Sequence, residues 1–287
     1  MPELPEVEVI RRGVQRWAAQ QRISEVEVTH PRAIRRHLPG AEDFRARLRN
    51  AVITSVNRRG KYLWLALDTG EALLCHLGMS GQLLITDDDA PVGKHLRVRF
   101  EFEEPGHELR FVDQRTFGEM LVDNPANGGP RHIEHIAFDV YNSEFDIAST
   151  TARIRKSNRG IKRILLDQTV ISGIGNIYAD EALWRAQLHG EHPANQLATG
   201  QVHDLISHVR AVFDEAITAG GTSFDALYVN TNGESGYFSR SLSAYGRAGQ
   251  PCRRCHATIV LERFMNRSSH YCPRCQRRPR TRSSPSR

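Results

Sequence analysis

Met1-Pro2-Glu3-Leu4-Pro5-Glu6-Val7-Glu8 opens the chain with two prolines and three carboxylates. An initiator Met is readily removed ahead of a residue as small as Pro2. Removal converts the Pro2 nitrogen from a tertiary amide, which has no usable lone pair, into a free secondary amine. An α-amino group has a reference pKa of about 8, so much of it is nucleophilic near neutral pH and Schiff-base chemistry is open to it. Glu3 then stands beside that amine as a proton donor or acceptor. The plainer reading makes Pro5 a helix starter and the acids partners of the helix dipole. On these eight residues alone both readings stand.

Outward from this start, Val7, Ile10, Val14 and Trp17 recur at three- and four-residue spacing, which predicts an amphipathic helix to about Gln20. Short, often alternating segments follow: Ile23–Val28, Val52–Val56, Tyr62–Leu67, Ala72–Leu77, Leu96–Phe102 and Leu109–Val112. Gly, Asp and Pro clusters separate them, as in an antiparallel sandwich or barrel. Asp87-Asp88-Asp89-Ala90-Pro91 reads as an exposed loop, and the cluster Asn124–Gly129 as a linker. Helical periodicity then takes over in Phe145–Ile154, Ile161–Leu166, Asn176–Ala186 and Gln201–Ala219, with Gly220-Gly221 stopping the last. A Gly-, Ser- and Asn-rich stretch runs to about Ser239, a module with paired cysteines closes the fold, and the tail from Arg277 reads as disordered.

At 287 residues the chain is long enough for two domains with their own cores and a small appendage. Its start is acidic where a signal peptide needs a basic then apolar run, and no apolar stretch is long enough to span a bilayer, so cytoplasmic residence without a membrane partner is expected. Net charge is +6, unevenly spread: from Gly246 onward there are eleven Arg and one acid, Glu262, against 28 basic and 32 acidic residues before it. That asymmetry points to a polyanion met chiefly through the C-terminal module. Only Lys61, Lys94, Lys156 and Lys162 stand against 35 Arg. Arg suits bidentate phosphate contact and Lys suits proton transfer, so each Lys draws notice.

Cys252-x2-Cys255 and Cys272-x2-Cys275, sixteen residues apart, are the strongest metal signal. Four thiolates fill a tetrahedral Zn²⁺ with no position left for a catalytic water, so the expected cofactor is one structural zinc and no organic group. The stretch between the pairs can form a hairpin. Arg253, Arg254, Arg263, Arg267 and Arg274 would ride on this rigid module as phosphate contacts; a zinc ribbon docked on protein is the plainer alternative. Cys75, alone in an apolar run, reads as inert core. Gly173-Ile174-Gly175-Asn176 leaves backbone N–H groups open at a helix start, where a phosphate is welcome, although any helix pair can use such a turn. The acid-free run Arg153, Arg155, Lys156, Arg159, Lys162 and Arg163 lies just upstream.

Taken together, these motifs resemble the formamidopyrimidine-DNA glycosylase / endonuclease VIII family, from the initial octapeptide through to Cys275 and in the family's order. The resemblance implies an α+β multidomain chain: an N-terminal β-sandwich with its leading helix (residues 1–128), a helix–two-turns–helix DNA-binding domain with a lesion-capping loop (129–245), a four-Cys zinc finger (246–276) and a tail (277–287). It implies catalytic roles for Pro2 as nucleophile, Glu3 and Lys61 as proton-transfer groups, and Arg267 in the later elimination, with Glu6 facing the pocket. His76-Leu77-Gly78-Met79-Ser80-Gly81 is similar to the family loop bearing an intercalating Met, and an apolar flexible side chain suits the gap left by an extruded base. Asp113-Gln114-Arg115-Thr116-Phe117-Gly118 is similar to the loop whose Arg pairs with the orphaned base and whose Phe wedges beside it, which gives those roles to Arg115 and Phe117. A second Arg usually stands where this chain has Thr116. Asn176 takes the phosphate-binding Asn position, and His95 and Asn158 join the DNA-contacting set. Loop 221–238 is expected to cap the extruded base.

The implied activity is excision of oxidised purines from duplex DNA containing a damaged base, then strand cleavage by β,δ-elimination, performed by a monomer. An endonuclease VIII-type enzyme shares the fold and prefers oxidised pyrimidines; Leu4, Met79 and the Arg115/Phe117 pair favour the purine enzyme. A noncatalytic zinc-finger DNA-binding protein is the reading from another class, and it would need neither a free Pro2 nor Glu3 and Lys61.

Overall fold

The computed structural model describes residues 1–126, 128–221 and 238–279. The chain forms two compact units, residues 1–136 with 215–239 and residues 137–214 with the C-terminal part from Arg240.

The first unit begins with helix α1 (Leu4–Ala18), whose Val7, Ile10 and Val14 are buried at the expected spacing; Ala18 closes the buried stripe in place of Trp17, which is exposed. Eight strands follow: β1 (Ile23–Val28), β2 (Ile53–Arg59), β3 (Tyr62–Leu67), β4 (Ala72–His76), β5 (Gly81–Asp87), β6 (Leu96–Phe102), β7 (His107–Asp113) and β8 (Glu119–Asp123), with helix α2 (Ala41–Leu48) between the first two. They make two antiparallel four-stranded sheets, in the orders β1-β6-β7-β5 and β2-β3-β4-β8. One core joins side chains from both, among them Phe100, Phe111, Leu63, Leu65 and Met120, with those of α1. The expected sandwich is present.

Two strands went unread in the sequence. In β8 the run Met120-Leu121-Val122 is buried on both faces and so has no alternation to detect. In β5 the run passes straight into the Asp87–Asp89 cluster. The expected linker carries a small ladder between β9 (Pro125–Ala126) and β10 (Gly129–Pro130).

The second unit carries α3 (Ile147–Arg155), α4 (Ile161–Leu165), α5 (Asn176–Arg185) and most of α6 (Thr199–Thr218). Helix α3 starts two residues later than its periodicity suggested because Asp146 caps it, accepting from the N–H groups of Ala148 and Ser149. Between the cysteine pairs, β11 (Val260–Phe264) and β12 (Arg267–Tyr271) form the expected hairpin.

Candidate active site

The start of α1 is built by its own side chains. Glu3 is the N-cap, and its N–H donates to the Glu6 carboxylate at 2.9 Å, one arm of a capping box. Pro2, Glu3 and Glu6 are all buried. A β-carbon on Gly221 (φ +89°) would meet Glu6 Cγ at 3.3 Å, so glycine lets the chain pass close over this carboxylate. Lys61 sits in the two-residue turn between β2 and β3, where Gly60 takes a positive φ of +56°. Unlike a solvated strand-edge lysine, it is 7 % exposed. Burial holds the amino group of Met1 below its ordinary value, while Glu3 and Glu6 pull it up and Lys61 and Arg115 push it down. Four charged side chains thus bear on the first residues of the chain.

The sheet registers explain how distant segments meet here. Tyr62 pairs with His76, His76 with Glu119, and Gly81 with Asp113. The connections β4–β5 and β7–β8 are therefore both crossovers between the two sheets at one end of the sandwich, beside the turn of Lys61. Met79 lies on the first crossover and Arg115 and Phe117 on the second, with the Arg115 guanidinium 3.9 Å from the Met79 sulfur. Met79 and Phe117 are 41 % and 46 % exposed. Large apolar side chains held out at this edge, next to an exposed guanidinium, are suited to enter a stack of bases.

In the second unit, helix α5 presents Asn176, Asp180 and Trp184 four residues apart, on one face. Asn176 donates its side-chain amide to Ser268 C=O at 2.9 Å. Asp180 accepts the His270 N–H at 2.8 Å and pairs with the fully buried Lys162 ammonium at 2.6 Å. The Trp184 indole N–H donates to Cys252 Sγ at 3.4 Å. The face is thereby stitched to the hairpin and to the cysteine cluster. The four sulfurs lie within 4.8 Å of one another, where tetrahedral zinc with Zn–S bonds of about 2.3 Å needs about 3.8 Å between sulfurs. Burial alone would raise the Cys252 thiol; the Arg254 N–H, the Trp184 indole and the Cys255 N–H outweigh it and bring the thiol down to about 6. A thiolate with such donors is a ready metal ligand. Arg267 is exposed at the start of β12.

Family models match in series: the formamidopyrimidine-DNA glycosylase N-terminal domain over residues 1–120, its H2TH domain over 136–227, and the zinc finger found in FPG and IleRS over 249–278. The formamidopyrimidine-DNA glycosylase of Salinispora tropica is 58 % identical over 280 residues, covering 98 % of both chains. That of Streptomyces coelicolor is 57 % identical over 283 residues, covering 98 % of this chain and 99 % of its own. The chain belongs to the formamidopyrimidine-DNA glycosylase family. Its fold also superposes on a Lactococcus lactis FPG mutant in complex with a Fapy-dG containing DNA, with a TM-score of 0.86 at 32 % identity over 96 % of this chain and all of that one. The Lactococcus lactis Fpg with an abasic site containing DNA gives a TM-score of 0.84 at 32 % identity, with the same coverage.

The four cysteines are the structural zinc site of this glycosylase family. Of the remaining expected residues, Asn158 is exposed just before α4, and His95 is half-buried next to Arg97. The expected capping loop falls on residues 222–237, outside the described residues; its flanks meet where the Phe238 N–H donates to Gly221 C=O at 3.1 Å.

Three residues escaped the sequence reading. Glu8 accepts from Arg11, Arg12 and Arg58, and Arg58 also donates to Gly60 C=O at 3.1 Å. His76 lies against the Tyr62 ring, and burial, opposed by Glu119 and assisted by Lys61 and Arg35, takes it down to about 4, so it is neutral at physiological pH. Its Nδ1 accepts the Gly78 N–H. Asp113 is fully buried and binds three donors from the two crossovers. His76 and Asp113 were visible inside the quoted motifs, but only the register shows what they hold.

Proposed function

We propose that this chain is a bifunctional DNA glycosylase and abasic-site lyase of base excision repair, acting on oxidised purines in duplex DNA. The observation that carries the reading is the convergence of Glu3, Glu6, Lys61 and Arg115 on the buried start of α1. Family membership over nearly the whole chain supports it, as do the DNA complexes of its structural relatives.

After loss of Met1, Pro2 is a secondary amine on the end of a packed helix. Burial lowers the basicity of an amine there, which raises the fraction available to attack. The amine attacks C1′ of the extruded nucleotide and the base departs with a proton, leaving an iminium between Pro2 and the opened sugar. Glu3 and Lys61 move the protons of these steps. Elimination then breaks the strand on both sides of the abasic residue, with Arg267 assigned to the later step. Met79, Arg115 and Phe117 fill the vacated space. Extrusion costs a few kcal/mol and least for a damaged pair, which contributes to selectivity. The zinc module supplies arginines to the phosphates, and the Asn176 turn a further contact; zinc itself takes no part in the chemistry.

The domain limits at 128 and 245 are part of this proposal, beside family models that run over residues 1–120, 136–227 and 249–278. The localisation that goes with this reading is the cytoplasm, in association with the DNA it repairs. Borohydride tests the core of the proposal: it reduces the iminium to a stable amine, so a quenched reaction on 8-oxoguanine duplex should leave protein covalently attached to DNA through the N-terminal peptide, with Met1 absent. An adduct on Lys61 instead would make that lysine the nucleophile.

A further inference from the structure

We infer that Asp113 is a positioning residue that makes the Met79 crossover and the Arg115–Phe117 crossover move as one piece; this rests on the void-filling roles proposed above. The carboxylate is fully buried at the end of β7. One oxygen accepts the Ser80 hydroxyl at 2.5 Å and the Arg115 N–H at 3.2 Å, and the other accepts the Gly118 N–H at 2.7 Å. Ser80 belongs to the first crossover, Arg115 and Gly118 to the second. Ser80 also accepts the Arg115 N–H at 3.1 Å, closing the triangle.

Two further features show that the pieces are meant to stay locked. Gly78 has a φ of +61°, and a β-carbon on it would stand 2.5 Å from both the Gly118 nitrogen and the Phe117 carbonyl carbon, so the two backbones touch. Between the two N–H groups held by Asp113 lies Thr116, a buried β-branched residue at φ +54°. That conformation is costly for Thr and persists only where the surroundings impose it. Here they do: Arg32 donates to Thr116 C=O, and Arg35 donates to the carbonyls of Phe117 and Gly118. The strained segment is held at its N–H groups by the Asp113 carboxylate and at its carbonyls by two guanidinium groups. Asp113 itself is pinned, its N–H donating to His95 C=O at 2.9 Å and its C=O accepting from Arg97 at 2.8 Å. A carboxylate whose donors come from two loops, neither of which holds the nucleophile, bears on extrusion of the base and not on the sugar chemistry.

The test compares single-turnover excision from an 8-oxoguanine duplex with cleavage of a preformed abasic site, using Ser80→Ala and Asp113→Asn, each checked for an unchanged zinc content and a cooperative melt. The ratio of excision to abasic cleavage should fall about tenfold in each, as expected for one lost hydrogen bond in a buried network. Because the effect passes through Met79, Ser80→Ala should add little to the loss already caused by Met79→Ala. Equal slowing on both substrates, or losses that multiply in the double variant, would overturn the inference. Should Met79→Ala itself leave the ratio unchanged, the void-filling reading fails; if Met79→Ala lowers the ratio and both Ser80→Ala and Asp113→Asn do not, only the role of Asp113 fails.

Discussion

Glu8 accepts a hydrogen bond from Arg58 Nε at 3.1 Å, and through it helix α1 is fastened to the turn that carries Lys61. Arg11 and Arg12 crowd the same carboxylate, and Arg11 reaches on to Val56 C=O. The first turns of α1 and the turn of Lys61 are thus tied together by one ion cluster.

Burial alone would raise the Glu8 carboxyl, but hydrogen bonds and charge from Arg11, together with Arg12 and Arg58, hold it down at about 2 against an ordinary 4.5. A carboxyl depressed on folding stabilises the fold above its unfolded value and loses that contribution as pH falls toward the folded value. The stability gap between the native protein and Glu8→Gln should therefore be full at pH 7, at no more than about 3 kcal/mol. It should narrow below about pH 4.5 and close near pH 2. Urea titrations across that range check this; a gap that is constant with pH would mean Glu8 contributes by packing alone.

Blocking the terminus separates binding from chemistry. A protein with residues fused ahead of Pro2 has an amide there, and nicking and borohydride trapping should both vanish while duplex affinity stays within a few-fold. Glu3→Gln keeps the amine, so it should slow base removal by roughly 10²–10⁴ and still permit trapping on a preformed abasic site. Single-turnover nicking and gel-shift titration read both outcomes.

Loss of zinc should cost fold and affinity together. Cys272→Ser is expected to release the metal, weaken binding to any duplex and flatten the slope of log affinity against log salt, since arginine–phosphate contacts are lost. Trp184→Phe keeps an aromatic face for Arg254, which stacks over the indole at 4.3 Å, and removes the N–H donated to Cys252. Zinc transfer to a colorimetric chelator should become about tenfold faster. An unaltered release rate would show that the indole only packs.

Lys162 and Asp180 form an ion pair with side chains 0 % and 1 % exposed. Removing one partner strands the other charge, so Lys162→Met should destabilise the second unit by about 3–5 kcal/mol. Adding Asp180→Asn, which keeps an acceptor for the His270 N–H, should recover part of that loss. Thermal melts followed by tryptophan fluorescence would reveal it, and a double variant no better than the single would refute the charge argument.

The local chemistry of this protein was legible without a structure. The Cys-x2-Cys pairs declare a metal because the bite is set by covalent spacing. Pro5 marks the helix start, the stretch between the cysteine pairs leaves room for the hairpin, and the helices and most strands follow from their periodicity. Strands β5 and β8 were hidden because burial on both faces, or a neighbouring acidic cluster, erases the alternation that marks a strand.

What only the tertiary structure decided is which of these local pieces share a site. Antiparallel register places His76 beside Tyr62 and Glu119, and Asp113 beside Gly81, so two crossovers far apart in sequence meet at one end of the sandwich. Glu8 reads from sequence as one more helix acid until Arg58 reaches it across 50 positions. Asp113 reads only as the first residue of a motif until its two oxygens are found holding both crossovers. Covalent spacing sets what a segment can become; long-range hydrogen bonding and close packing, which no local pattern encodes, select the partners that turn those segments into a catalytic edge.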